Sequence, residues 1–315
     1  MTRIGISDLD VFPVNLGGNV FGWTADKAAS FEILDAFVAG GGNFVDTADG
    51  YSAWVPGNTG GDSELIIGEW MNRHGNRSDV VVTTKVSQHP DFKGLAYDNV
   101  LEAADASLTR LGTDYIDLYL AHFDDENTPL EETVRAFSDL VHAGKIRYIG
   151  ISNYSADRID QWFDIAERDG YVKPVALQPH YNLVHRTTYE RELAPVAAAR
   201  NLGVTPYFSL ASGFLTGKYR TETDLAASVR GGGSKGYLTP DGLGVVDALA
   251  AVAQARGAAI ATIALAWLRA KPNVVAPIAS ASKVEQLGDL LAAASVDLSA
   301  EEIATLDAAS AKVAE

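Results

Sequence analysis

Residues 115–152 read YIDLYLA, HFDDENTP, LEETVRAFSDLVHA, GK and IRYIGIS. An apolar run of strand length gives way to a polar connector. An amphipathic stretch with helical spacing follows, then a glycine stop, then a second apolar run. Neither apolar run alternates between buried and exposed positions, so both read as strands covered on two faces. Strand, helix, glycine, strand is a βαβ unit, and it implies parallel pairing.

The same unit recurs outward in both directions. Strand candidates lie at 13–17, 43–47, 79–85, 115–121, 146–152, 175–179, 204–209 and 274–278. Helical stretches separate them. Residues 25–39 carry Phe31, Ile33, Leu34, Phe37 and Val38 and stop at Gly40-Gly41-Gly42. Residues 130–143 stop at Gly144, 193–201 at Gly203 and 245–256 at Gly257. Eight units close into a single-domain (β/α)8 TIM barrel over 1–315, and an open doubly wound sheet is the competing arrangement. Two pieces lie outside the repeat. The first ten residues, around Gly5 and Asp8, suit a hairpin covering one barrel end. Residues 299–314 suit an extra C-terminal helix, with Ser299 and Glu302 at capping-box spacing. A 27-residue insertion, 215–241, holds Arg230, Gly231, Gly232, Gly233 and Lys235 with little apolar periodicity. It follows the seventh strand, so it projects from the C-terminal face as either a flap over a ligand or a solvated loop.

Composition narrows the function. The chain has 315 residues, 47% hydrophobic and 21% charged, which supports one large core. The net charge of −16 makes nucleic acid and anionic membrane poor partners. With no cysteine, disulfides, thiolate metal sites and cysteine nucleophiles are excluded. The start MTRIGISDLD has no apolar signal core, and no apolar run reaches the roughly 18 residues of a membrane span. Cytoplasmic residence is the expectation, and the oligomeric state is open. No zinc spacing, P-loop or GxSxG elbow is present, and Gly231–Gly233 lacks the context of a dinucleotide fingerprint.

Asp46, Lys85 and His122 each fall at, or within one residue of, the C-terminal end of a strand candidate. They are 39 and 37 residues apart, close to one βα unit each. In a barrel, strands two, three and four would aim them at one mouth, with Tyr51 on the loop after Asp46. This set suits carbonyl reduction. A phenol donates the proton; a nearby ammonium should lower its pKa toward neutrality. A carboxylate keeps the buried amine charged, and an imidazole hydrogen-bonds the carbonyl oxygen as charge builds. No good nucleophile is among them. Each residue also has a plainer reading: Asp46 as a loop cap, Tyr51 as packing, and His122 as a satisfied histidine too sparsely accompanied by Asp124 to hold a metal. Lys85, ending Val80-Val81-Val82-Thr83-Thr84, resists a plain reading because a buried lysine needs an anionic partner.

At these residues the chain resembles the aldo-keto reductase family. Gly42-Asn43-Phe44-Val45-Asp46-Thr47-Ala48-Asp49-Gly50-Tyr51 is similar to its aspartate-to-tyrosine signature. Thr83-Thr84-Lys85 resembles its lysine strand, and 114–122 its histidine strand. Residues 143–154, Ala-Gly-Lys-Ile-Arg-Tyr-Ile-Gly-Ile-Ser-Asn-Tyr, resemble a further motif. The likeness runs in order along nearly the whole chain and is nearest the bacterial and channel-subunit-like branch. It implies Asp46, Tyr51, Lys85 and His122 as the catalytic four, with Tyr51 the acid. It implies that Ser152, Asn153 and Gln178 hold a nicotinamide carboxamide and that Tyr207 stacks on the ring. Leu210, Gly213, Leu215, Gly217 and Lys218 would follow the pyrophosphate. Ser280, Ser282, Lys283, Gln286 and Asp289 would grip the adenosine end. Taken alone, Asn153 and Gln178 also suit strand caps, Tyr207 a core position, and 210–218 an ordinary turn.

Two departures stand out. Many relatives have a cation soon after the proline ending strand eight. Here Pro277-Ile278-Ala279-Ser280-Ala281-Ser282-Lys283 offers only Lys283, with Arg230 or Lys235 from the insertion as help. NADP(H) is favoured over NAD(H) on this basis. Relatives often have arginine and proline after the histidine, where this chain has Phe123 and Asp124. Trp23, Trp54, Val55 and Phe123 are the expected apolar lining for a small-molecule carbonyl substrate; no metal is implied. The resemblance also allows a nucleotide-binding regulatory subunit with little turnover. A phosphosugar barrel enzyme is a third reading, but it would want a glycine-rich phosphate site after strands seven and eight.

Overall fold

The structure, a computed structural model, describes residues 1–314. Eight parallel strands form one sheet: β1 (Asn15–Gly17), β2 (Phe44–Asp46), β3 (Val81–Val86), β4 (Ile116–Ala121), β5 (Ile146–Ser152), β6 (Ala176–Gln178), β7 (Gly203–Val204) and β8 (Ile278–Ala279). Each pairs with its sequence neighbour, and β8 returns to β1 through Ile278 opposite Asn15. A bridge between Val204 and Val274 closes the circle, so the sheet is a barrel and not an open doubly wound sheet.

The last two strands are shorter than expected from sequence. The expected 204–209 ends as a strand at Val204, because Pro206 has no N–H to donate and Phe208 turns to φ +51. The expected 274–278 becomes an isolated bridge at Val274 followed by Ile278–Ala279, with Pro277 between. The third strand begins at Val81 because Arg77–Asp79 form a 3-10 turn.

Helices cover the outside: α1 (Lys27–Ala39), α2 (Asp62–His74), α3 (Tyr97–Leu111), α4 (Leu130–His142), α5 (Ala156–Asp169) and α6 (Ala194–Ala199). After the short α7 (Glu222–Ala226) come α8 (Pro240–Arg256), α9 (Ile260–Arg269), α10 (Leu287–Ala292) and α11 (Ala300–Ser310). Their ends follow local chemistry. The Asp26 side chain accepts from the Ala29 N–H at the start of α1. Thr239 caps α8, with Pro240 in its first turn. Ser299 and Glu302 form the expected capping box on α11. No single helix among the described residues is long and apolar enough to cross a membrane.

There are two cores. The larger packs the outer faces of the strands against the helices. The smaller fills the barrel with Phe44, Leu118, Leu120 and Ala176 and is plugged at one end by Ile4, Leu9 and Val11. Those plug residues belong to the N-terminal hairpin, in which Thr2–Arg3 pairs antiparallel with Asp10–Val11. Gly5 turns the hairpin at φ +51 in a place where any Cβ would strike the Val175 carbonyl at 2.4 Å. With that end stoppered, the opposite mouth is left for chemistry.

Candidate active site

Asp46 ends β2, Lys85 is the penultimate residue of β3, and His122 follows β4 directly. The parallel register carries all three to the same mouth, together with Tyr51. Lys85 is fully buried. Its Nζ donates to Asp46 Oδ2 at 2.6 Å, to the Thr47 carbonyl at 2.7 Å and to Tyr51 Oη at 3.0 Å. An ammonium has three N–H bonds, so all three are used. Tyr51 Oη therefore accepts from Lys85 and keeps its own proton to donate elsewhere. Asp46 Oδ1 accepts from Gln178 Nε2 at 2.8 Å, which fixes the carboxylate from its other side.

The electrostatics correct one sequence expectation. Burial opposes the Lys85 charge, but Asp46 and Tyr51 more than offset it, and its pKa is raised above the ordinary lysine value. Burial likewise pushes the Tyr51 phenol up. The Lys85 ammonium pulls it down, Asp46 pushes it up again, and the net direction is upward rather than the expected lowering. The expectation weighed the ammonium but not the desolvation of a phenolate at the base of a cavity or the second charge of the ion pair.

His122 is held well below the ordinary histidine value, first by burial and then by Lys85, so its imidazole is neutral. Its Nδ1 is buried without a partner. An orphaned acceptor costs less than an orphaned N–H, which assigns the ring proton to Nε2. The His122 ring lies 6.1 Å from that of Tyr51.

The set opens into a cavity of about 1190 Å³. Of the residues singled out from sequence, Asp46, Tyr51, His122, Asn153, Gln178, Tyr207, Leu210, Gly213 and Lys218 line it. So do Ser280, Ser282, Lys283, Gln286, Asp289, Trp54 and Phe123. Six stand back from it. Lys85 lies behind Tyr51. Ser152 donates to the Gln178 carbonyl at 2.8 Å. Leu215 is wholly in the core, and Gly217 ends a 3-10 segment at φ +79. Trp23 and Val55 are also set back; Trp23 buttresses Trp54 edge-on, with ring centres 5.6 Å apart.

The amide nitrogens expected at a carboxamide each already donate within the protein, while both side chains line the cavity. Gln178 Nε2 is committed to Asp46. Asn153, at φ +56, donates to the His122 carbonyl at 2.8 Å and accepts from Tyr207 Oη at 2.7 Å. Tyr207 is thereby pinned at the cavity wall. Its phenol is pushed up to about 12 by burial, with Tyr51 and Tyr237 adding to the shift.

Several cavity residues escaped the sequence reading: Asn19, Thr24, Gln88, Phe208, Ser209, Ser212 and Val229. Asn19 Oδ1 accepts from Ser280 Oγ at 2.6 Å across 261 residues of chain, a contact no local pattern announces. The glycine pair Gly17-Gly18 at the end of β1 was the available signal for a close approach there. Phe208, Ala211 and Ser212 all adopt positive φ, a concentration of backbone strain beside the cavity wall that Phe208 and Ser212 line. Lys218 folds back over Gly213, where a Cβ would meet its Nζ at 3.0 Å. The insertion is neither a bare loop nor formless. It contains α7 with its own capping box and a 3-10 segment, Gly231–Tyr237, that buries Ser234 against the Ala211 carbonyl. Its residues Ala227, Ser228, Val229 and Arg230 wall the cavity, while Lys235 does not.

This cavity fits a dinucleotide. Lys218, Arg230 and Lys283 line it, and none of the three is in an ion pair among the described residues. Arg230 is held below the ordinary arginine value by burial and lies over the Trp23 ring at 6.0 Å, with no carboxylate facing it. Unpaired cations along a strained backbone suit phosphate groups.

A parallel barrel that sets an acid–ammonium–phenol cluster at the head of a long, cation-lined cavity defines a barrel oxidoreductase. The aldo/keto reductase family model matches residues 13–311, and the chain belongs to that family, whose members generally bind nicotinamide cofactors. It is 36% identical to the "Probable voltage-gated potassium channel subunit beta" of Oryza sativa subsp. japonica, over 90% of this chain and 88% of the relative. It is 32% identical to "Norsolorinic acid reductase B" of Dothistroma septosporum, over 95% and 78%. It is 33% identical to the "Uncharacterized oxidoreductase YrpG" of Bacillus subtilis, over 95% and 92%.

Proposed function

We propose that the protein reduces small carbonyl compounds (aldehydes, ketones or sugars) with NADP(H), Tyr51 supplying the proton. The Lys85 ammonium carries this reading: with its three donors directed at Asp46, Thr47 and Tyr51, it fixes the phenol and can hold the phenolate left after transfer. When bound, the nicotinamide cofactor supplies hydride to the carbonyl carbon. His122 Nε2–H is the second donor to the carbonyl oxygen, and as a neutral group it does not compete as an acid. Trp54 and Phe123, both exposed at the cavity mouth, form an apolar wall that a bound substrate would cover, without selecting a single substrate. The test is cofactor oxidation against a panel of aldehydes, ketones and sugars with both nicotinamides. No turnover with any member would remove the reading.

Lys283 and Arg230 are the cations we assign to a 2′-phosphate. Lys283→Ala is expected to weaken NADPH by roughly 1–2 kcal/mol, about five- to thirtyfold, and NADH far less. Titration with each cofactor checks this, and equal losses would count against a phosphate contact.

The relatives named as potassium channel subunits favour a second reading, a nucleotide-binding regulatory subunit. Tight cofactor binding with no oxidation by a simple test aldehyde would select it.

A further inference from the structure

Asp49 belongs to none of the groups above, yet it lies two residues before Tyr51. Its side chain is fully buried, and neither carboxyl oxygen makes a well-formed hydrogen bond, the Gly50 and Ser87 N–H groups acting on it only from longer range. It sits on the helix side of the barrel wall. The charged and titratable groups around it are Glu64 of α2, Arg110 of α3 and Tyr119 of β4, whose own buried hydroxyl also lacks a partner. His89, on the hairpin formed by Gln88–His89 and Phe92–Lys93, closes the edge; Gly60 separates its ring from the Asp49 carbonyl.

One cation faces two carboxyls in this cluster, and it is already engaged. Arg110 Nε donates to Glu64 Oε2 at 2.6 Å, and Thr84 donates to Glu64 Oε1 at 2.5 Å. An Asp49 carboxylate would therefore be a buried charge with no cation of its own, which protein interiors avoid by keeping the group protonated. The backbone adds the link to chemistry. The Asp49 N–H donates to the Lys85 carbonyl at 3.1 Å, and the Tyr51 N–H closes a turn on the Ala48 carbonyl at 3.2 Å. Asp49 thus joins the strand carrying the ammonium to the turn carrying the phenol.

We propose that Asp49 is a positioning residue that works as a neutral acid: protonated, its side chain stays buried and its backbone N–H ties the turn that aims Tyr51 to the lysine strand, and its ionisation drives the side chain out, frees that turn and ends reduction. The step is loss of one carboxyl proton to solvent. The inference rests on Tyr51 being the proton donor. Burial first, then Glu64, push the Asp49 carboxyl up to about 8, against the pull of Arg110 and of the Gly50 and Ser87 N–H groups. The neighbouring groups do not mimic such a titration. Burial raises Tyr51; Lys85 is raised by Asp46 despite burial; and burial lowers both His122 and His89.

The expected pH dependence has a definite sign. The folded protein holds the Asp49 proton more tightly than the unfolded chain, where the carboxyl has its ordinary value of 3.8. Wild type should therefore lose stability relative to Asp49→Asn as pH rises, by up to tenfold in the unfolding constant per pH unit, until about 8. Above that point wild-type kcat should fall tenfold per pH unit. Asp49→Asn, normalised to its own value at neutral pH, should show no such fall. Amide exchange over 50–58, measured without cofactor, should be at least tenfold faster in wild type than in the variant at alkaline pH. An alkaline fall that persists in Asp49→Asn overturns the proposal, as does equal exchange in the two proteins or a stability difference that does not change with pH. If exchange differs but no carbonyl turns over, the anchoring role stands and the reductase reading fails. Should Asp49→Asn not fold, Asp49→Ala removes the same acid and takes its place.

Discussion

Tyr51→Phe is expected to cut carbonyl reduction by about 10²- to 10⁴-fold, the usual range for losing a general acid. The substitution is close to a pure test of the proton. The phenylalanine ring keeps the edge-on contacts with Trp54, at 6.2 Å, and with His122, at 6.1 Å, so the apolar wall keeps its shape. Only the oxygen is lost, and with it one of the three acceptors of the Lys85 ammonium. That ammonium still has Asp46 and the Thr47 carbonyl, so the stability cost should be near the 1 kcal/mol of an ordinary hydrogen bond. Cofactor affinity should hardly change, because the cations assigned to the phosphates lie elsewhere in the cavity. His122 does not take over as acid: its neutral imidazole can hydrogen-bond the carbonyl oxygen but is a poor donor of a whole proton. The check is single-turnover reduction beside a cofactor titration. Turnover within tenfold of wild type would remove Tyr51 from its role. Loss of both turnover and cofactor binding would point to a collapsed site instead.

The meeting of Asp46, Tyr51, Lys85 and His122 at one mouth was legible in the sequence for a physical reason. A lysine closing Val80-Val81-Val82-Thr83-Thr84 is anomalous by itself, and the barrel's repeat length sends Asp46, Lys85 and His122 to one end. What was not legible depends on distance and enclosure. The Gln178–Asp46 bond spans 132 residues, so a glutamine on the cavity wall also holds the carboxylate, a second task no local pattern announces. Leu215, expected along the pyrophosphate, is core, because the turn at 211–216 faces one side inward. The upward push on Tyr51 needed its burial to be known. Asp49 was hidden most completely: within Ala48-Asp49-Gly50 an aspartate reads as an ordinary turn residue, and only the packed fold shows that water cannot reach it.

Lys85→Met is the second large expectation, and its effect should divide between stability and chemistry. Methionine fills similar space but leaves the Asp46 carboxylate, 1% exposed, with the Gln178 amide alone. Removing one member of a buried ion pair typically costs about 3–5 kcal/mol, because the remaining charge keeps its desolvation penalty without its partner. Urea unfolding at neutral pH should register a loss of that size. Adding Asp46→Asn removes the stranded charge, so the double variant should unfold later than Lys85→Met, with an interaction energy of about 0.5–3 kcal/mol. Activity should not follow this recovery. The double variant regains the fold but has no ammonium to hold a phenolate at Tyr51, so its reduction rate should stay as low as that of Lys85→Met. Recovery of both together would mean that the pair serves only the fold. A stability gain with no return of turnover would separate the two roles of Lys85, as counter-charge to Asp46 and as the group that readies the phenol.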